Sequence, residues 1–195
     1  MNKTAQVYLV RDRQCGDCTV CCTVLSINSS EFVKQPNFTC PNLLKNGGCS
    51  IYKSRPDVCQ KWFCAWRNLP DLDESWRPDK MGVLLEFAEE NYPPPFSGRV
   101  GFRFTVLNKR KIENNKKLAK FIIRQMRNGV PCILTYGNEK NTEPVTAFLN
   151  IALYNAVKSN SIDNVLLELK KAIQACEKMP KMKVNIENGQ LVYEK

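Results

Sequence analysis

Eight of the ten cysteines lie between Cys15 and Cys64, and four of these crowd the run Cys15-Gly16-Asp17-Cys18-Thr19-Val20-Cys21-Cys22. The others are Cys40, followed by Pro41, then Cys49, Cys59 and Cys64. No ordinary core needs sulfur at this density. A stretch of this kind is a framework of thiols, tied either by disulfides or by metal, and such a tie takes the place of the core that a short segment cannot build.

Two properties of the whole chain decide between disulfides and metal. Residues 1–14 are basic but contain no apolar stretch of signal-peptide length. No apolar run approaches the roughly 20 residues that span a bilayer. The chain is therefore expected in the cytoplasm, where thiols stay reduced and a dense cysteine pattern points to metal. The chain also has no histidine. This removes histidine acid–base catalysis, Ser-His-Asp and Cys-His nucleophile pairs, and mixed Cys/His metal sites. A metal held here is ligated mainly by sulfur, which selects zinc or an iron–sulfur cluster, with Cu(I) a remote third.

The spacing refines the choice. Cys-x-x-Cys brings two sulfurs to one metal from a tight turn. Cys15, Cys18 and Cys21 repeat it in the manner of the first three ligands of a ferredoxin-type [4Fe–4S] cluster, and Cys40-Pro41 fits the remote ligand of that arrangement. These features favour iron–sulfur over zinc. Gly47-Gly48 is expected to let the backbone approach a metal closely before Cys49. The doublet Cys21-Cys22 is unusual, because adjacent side chains diverge. It suggests two neighbouring centres, or one multinuclear centre with a spare thiol. Lys53, Arg55, Lys61 and Arg67 lie among the last cysteines and can offset thiolate charge.

Over residues 12–66 the order Cys15-x2-Cys18-x2-Cys21-Cys22, Cys40, Cys49, Ile51-Tyr52, Arg55-Pro56, Cys59 and Cys64 resembles the CxxCxxCC (YkgJ-like) family of zinc- or iron-chelating domains. All eight cysteines, Cys15, Cys18, Cys21, Cys22, Cys40, Cys49, Cys59 and Cys64, are candidate metal ligands, as two four-sulfur sites or as one cluster with structural or redox thiols left over. Arg55 and Tyr52 are expected either around the metal or its cofactor or in local capping and packing. Flagellin lysine N-methylases carry a similar module, so the resemblance also admits an iron–sulfur-dependent redox or methyl-transfer enzyme. Trp62, Phe63 and Trp66 surround the last two cysteines and are expected to shield them or to pack in the core.

Outside this region the chemistry is sparse. Residues 99–140 hold eleven Lys/Arg against two Asp/Glu. Lys116, Lys120, Arg124 and Arg127 share one face of a predicted helix over 112–128. That face is expected to be solvated, with an acidic protein, nucleic acid or a nucleotide cofactor as the alternative partner. Cys132 and Cys176 sit in apolar patterns and read as small core residues. There is no Walker loop, no GxGxxG and no spaced carboxylate pair.

The apolar content of 43% with 25% charged residues excludes wholesale disorder. The expected fold class is α+β: an irregular cysteine-rich metal-binding module over residues 1–70, packed as one compact unit on a small mixed α/β lobe over 71–195. Within the module a strand is expected at Val24–Ile27, a helical turn after Ser29-Ser30-Glu31, and a helix from Pro56 through Cys64 and Trp66. Residues 71–98 are acidic. Strands are expected at Met81–Ala88, Arg99–Leu107 and Val130–Tyr136. Helices are expected from Ile112 to Asn128, from Pro144, and from Ser161 to Lys178. A C-terminal hairpin turns at Asn188-Gly189.

Overall fold

The N-terminal third is built from short pieces in the computed structural model, which describes residues 9–194. They are α1 (Val20–Val24), the hairpin β1 (Ile27–Asn28) and β2 (Val33–Lys34), α2 (Asp57–Lys61) and α3 (Ala65–Asn68). The expected strand at Val24–Ile27 is displaced, because Val24 closes α1. Carbonyls of that helix are taken from the following segment, Cys22 O by Cys40 N–H at 2.8 Å and Val24 O by Asn37 N–H at 2.9 Å. Ser29 caps no helix. Its hydroxyl accepts from Phe32 N–H at 3.1 Å and donates to Phe32 O at 3.0 Å, which closes the β1–β2 turn. Pro56 precedes α2 as its cap instead of opening it. The expected single helix breaks at Trp62, whose backbone is extended, and resumes after Cys64.

The rest of the chain runs α4 (Pro78–Met81), β3 (Val83–Glu89), β4 (Val100–Val106), α5 (Lys109–Ile112), α6 (Lys116–Arg127), β5 (Cys132–Tyr136), β6 (Val145–Phe148), α7 (Leu149–Ala152), α8 (Tyr154–Lys158), α9 (Ile162–Lys178), β7 (Lys183–Glu187) and β8 (Gln190–Glu194). Strands β3 to β6 form one sheet in sequence order, with β4 and β5 parallel and the outer pairs antiparallel. A parallel neighbour requires a crossover, and α6 supplies it. The architecture is mixed α/β, consistent with the α+β expectation.

Three helix expectations fare differently. The helix over 112–128 is divided, because the Asn115 side chain accepts from Leu118 N–H at 3.0 Å and starts α6 afresh. At Pro144 a strand replaces the expected helix. Val145 and Thr146 are β-branched, and Tyr136 and Thr135 of β5 stand opposite them. α9 follows its cap as expected, with Ser161 Oγ accepting from Asn164 N–H at 3.2 Å.

The main core lies between the sheet and α6, α8 and α9. Phe104 and Leu134 meet Leu118, Ile122, Leu169 and Ile173 there, all at most 1% exposed. Cys64, Ala65 and Trp66 belong to the same core, so the cysteine-rich segment is anchored at its C-terminal end. It is anchored again by Val10 N–H, which donates to Arg67 O at 2.8 Å. Arg13 donates to Trp66 O and, at 2.8 Å, to Leu69 O. Near β1 and β2, Gln35 reaches Val184 O at 2.6 Å and Leu191 N–H reaches Asn28 Oδ1 at 3.2 Å. Among the described residues no helix is long and apolar enough to cross a membrane. The leaderless reading of the N-terminus falls partly on residues 1–8, outside the described residues.

Candidate metal centre

Cys15-Gly16-Asp17-Cys18 forms a tight turn closed by Cys18 N–H on Cys15 O at 2.9 Å. Gly16 takes φ +56°, a left-handed value that suits glycine. Asp17 projects from this turn to Arg77, which it meets at 2.9 Å. Arg77 is also held bidentately by Asp79, at 2.8 and 2.7 Å, and its side chain is only 13% exposed. The Asp79 carboxylate in turn lies against Cys18, and burial pushes that thiol up. The Gly47-Gly48 loop does approach closely, but what it meets is the turn itself. A Cβ on Gly47 would stand 3.3 Å from Asp17 Cα.

Cys21 and Cys22 share α1, and their sulfurs are 3.9 Å apart. The pair behaves as one titrating unit. Hydrogen bonding with Cys22, then burial and the negative charge of Cys15 and Cys18, push Cys21 up. Cys22 is pulled down, first by the hydrogen bond from Cys21 and then by Lys34 and Arg55. Cys64 caps α3, where burial raises its thiol to about 11 against the opposing backbone N–H groups of Arg67 and Trp66. Cys59, on α2, is raised by burial and by its neighbours Cys22, Cys40 and Cys49.

Lys34 is the residue that sequence reasoning missed. Only 4% exposed, it donates to Phe38 O at 2.8 Å and has no carboxylate partner among the described residues. Burial lowers its pKa, and the charges that oppose this fall come from Cys40, Cys22, Cys21 and Cys59. Its sequence context, a lysine at the end of a two-residue strand, reads as surface. Arg77 and Asp79 were also missed, because 71–98 reads as an acidic connection. The Arg77-Pro78-Asp79 order at a helix start is the signal that was available.

Arg55 lies near Cys22 and Cys59. Tyr52 is 57% exposed and serves as a platform for Arg55, whose guanidinium carbon is 4.3 Å from the ring centroid. Lys61 pairs with Asp57 instead. Arg67 is buried beside Phe63, with Nε and one terminal nitrogen unpartnered among the described residues. Trp66 is buried, and Trp62 packs on the same core. Cys132 and Cys176, each 0% exposed, lie in the main core. On the basic helix, Lys117 pairs with Asp73, while Lys120 and Arg124 line two shallow clefts on the surface of α6.

All ten cysteines are free thiols. Among the described residues no three Cys, Asp or Glu side chains converge into a group that could hold a metal ion as they stand. The chemistry of the donors nevertheless suits a soft or borderline metal: eight thiols in one segment, two guanidinium groups beside them and one buried ammonium among them. No protein-family model, curated protein or solved structure matches the chain.

Proposed function

We propose that this protein binds metal through its N-terminal cysteine thiolates, as zinc or as an iron–sulfur centre. Lys34 carries the reading. A lysine ammonium taken out of water without a carboxylate is costly, and the groups close enough to offset it are thiols that carry negative charge once they bind metal. Cys21 lies near Cys15 and Cys18, and Cys59 near Cys22, Cys40 and Cys49, and metal supplies the free energy that draws such thiols into a shell. Cys15-x2-Cys18-x2-Cys21 and Cys40-Pro41 favour the iron–sulfur form.

Anaerobic purification followed by elemental analysis tests the reading. A brown protein that bleaches with dithionite identifies a cluster, and a colourless one with stoichiometric zinc identifies zinc. Protein free of both metals, and unable to take up either when reduced, would sink the proposal. Cys18→Ser is expected to lower metal content by at least one centre, and Cys132→Ser to leave it unchanged. Loss of metal from Cys132→Ser would show that the ligands have been assigned wrongly.

A further inference from the structure

The doublet Cys21-Cys22 raises the question of how the eight thiols divide. We infer that they make two four-thiolate metal sites, one from Cys15, Cys18, Cys21 and Cys64, the other from Cys22, Cys40, Cys49 and Cys59. The boundary between the sites is the peptide bond between Cys21 and Cys22. This inference rests on the metal-binding reading above and specifies its stoichiometry and ligand sets.

The backbone assembles each set separately. In the first, the turn from Cys15 to Cys18 is closed on itself at 2.9 Å. The strand of chain leading into it is tied to α3, which Cys64 caps, by Val10 on Arg67 O at 2.8 Å and by Arg13 on Leu69 O at 2.8 Å. In the second, Cys40 N–H bonds Cys22 O at 2.8 Å, and Leu43 N–H bonds Cys40 O at 3.0 Å. Leu43 then bridges to Cys49. Cys59 arrives on α2, whose first amide, Asp57 N–H, is held by Glu31 Oε2 at 2.8 Å in the β1–β2 turn. That turn leads directly into Lys34.

The two sets also have different counter-charges. Four thiolates around a divalent ion leave a charge of about −2. Lys34 lies near Cys22, Cys40 and Cys59 of the second set, and near Cys21 at the boundary, while Arg55 lies near Cys22 and Cys59, so these two cations balance the second set. The first set faces Arg77, which also binds Asp17 inside the turn and Asp79 beside Cys18. The doublet fits this division geometrically. Successive residues on a helix point about 100° apart, so Cys21 and Cys22 are turned toward different neighbours. Their sulfurs remain 3.9 Å apart, which makes the two sites adjacent. On binding, each thiol gives its proton to solvent and its sulfur lone pair to the metal, with no change of oxidation state.

The test uses the full chain, reduced and held anaerobically, titrated with Co2+ as the probe. Bound metal is counted by native mass spectrometry, and free cysteines are mapped with N-ethylmaleimide. Wild-type protein is expected to saturate at two Co2+. Cys59→Ser should keep one, with Cys15, Cys18, Cys21 and Cys64 protected. Cys18→Ser should keep one, with the other four protected. Lys34→Met should weaken only the second site, by roughly 10- to 100-fold. Saturation of the wild type at one Co2+ overturns the division while leaving metal binding intact, and this count does not depend on any variant folding. Loss of both ions from either single cysteine variant also overturns the division. Failure of the wild type to bind any Co2+ also overturns the division, and metal binding itself then stands or falls on the zinc and iron content of the anaerobically purified protein.

Discussion

Arg103 on β4 faces more negative charge than one guanidinium can neutralise. Glu86 stands opposite it on β3 at 2.9 Å, Glu90 contacts it from the end of the same strand, and Glu143 lies near it. Glu86 is 4% exposed, and burial raises its carboxyl against the opposing pull of Arg103. Glu143 is raised for the same reason. A carboxyl raised above its unfolded value of 4.5 binds its proton more tightly in the folded chain. The stability it contributes is present below that value and is lost as pH rises through the higher folded value. Arg103→Met removes the favourable charge at Glu86 and leaves this carboxyl buried without a cation among the described residues. It is expected to cost about 3 kcal/mol at pH 8 and clearly less at pH 5, where Glu86 can take up a proton. Urea midpoints at the two pH values check this, and equal losses would contradict it. Sequence reading missed this cluster, because Glu86 in Val83–Glu89 looks like the outward-facing residue of an alternating strand. Only the strand register places Arg103 across from it.

Short elements hold together here through side chains that stitch them to neighbours. Asn150 on α7 is 7% exposed, accepts from Cys132 N–H at 2.6 Å and donates to Val130 O at 3.0 Å. It thereby satisfies the backbone at the entry to β5. Asn150→Ala leaves both groups buried without partners and is expected to cost about 2–3 kcal/mol, read from thermal or urea unfolding. A loss below about 0.5 kcal/mol, the range of a neutral surface change, would show that water replaces the amide. Elements marked by sustained periodicity, a cap or a turn signal were legible in the sequence: α9 with its Ser161 cap, the β7–β8 hairpin at Asn188-Gly189, and β3, β4 and β5 within two residues of their expected ends. Short elements without such a mark were not, since they carry too little periodicity to outvote their contacts. β6 is the clearest case, a strand made by the edge of β5 where a proline suggested a helix start.

For the whole molecule, the cysteine-rich segment and the sheet share a core through Cys64, Ala65 and Trp66 but differ in what stabilises them. Around Phe104 the core is made of large, fully buried apolar side chains. Between Cys15 and Cys59 no residue of the segment is a buried core hydrophobe, and Lys34 is among its few buried residues. Removing metal with a chelator under reducing conditions is therefore expected to strip hydrogen-exchange protection from residues 15–64 while the amides of β3, β4 and β5 stay protected. Unchanged protection in residues 15–64 would mean that metal does not stabilise this part of the fold. The sequence by itself determined which donor atoms the segment offers, because cysteine spacing and the absence of histidine are properties of the chain and make sulfur the most concentrated donor there. It also determined the fold class, since apolar periodicity is local. Which thiol neighbours which, and the burial of Lys34 among them, were decided only by the tertiary structure. Cys64 lies 49 residues from Cys15, and Cys40, Cys49 and Cys59 lie 18, 27 and 37 residues from Cys22 along the chain. Their relative placement depends on Arg77, Glu31 and the backbone bonds of α3, contacts that no local pattern encodes.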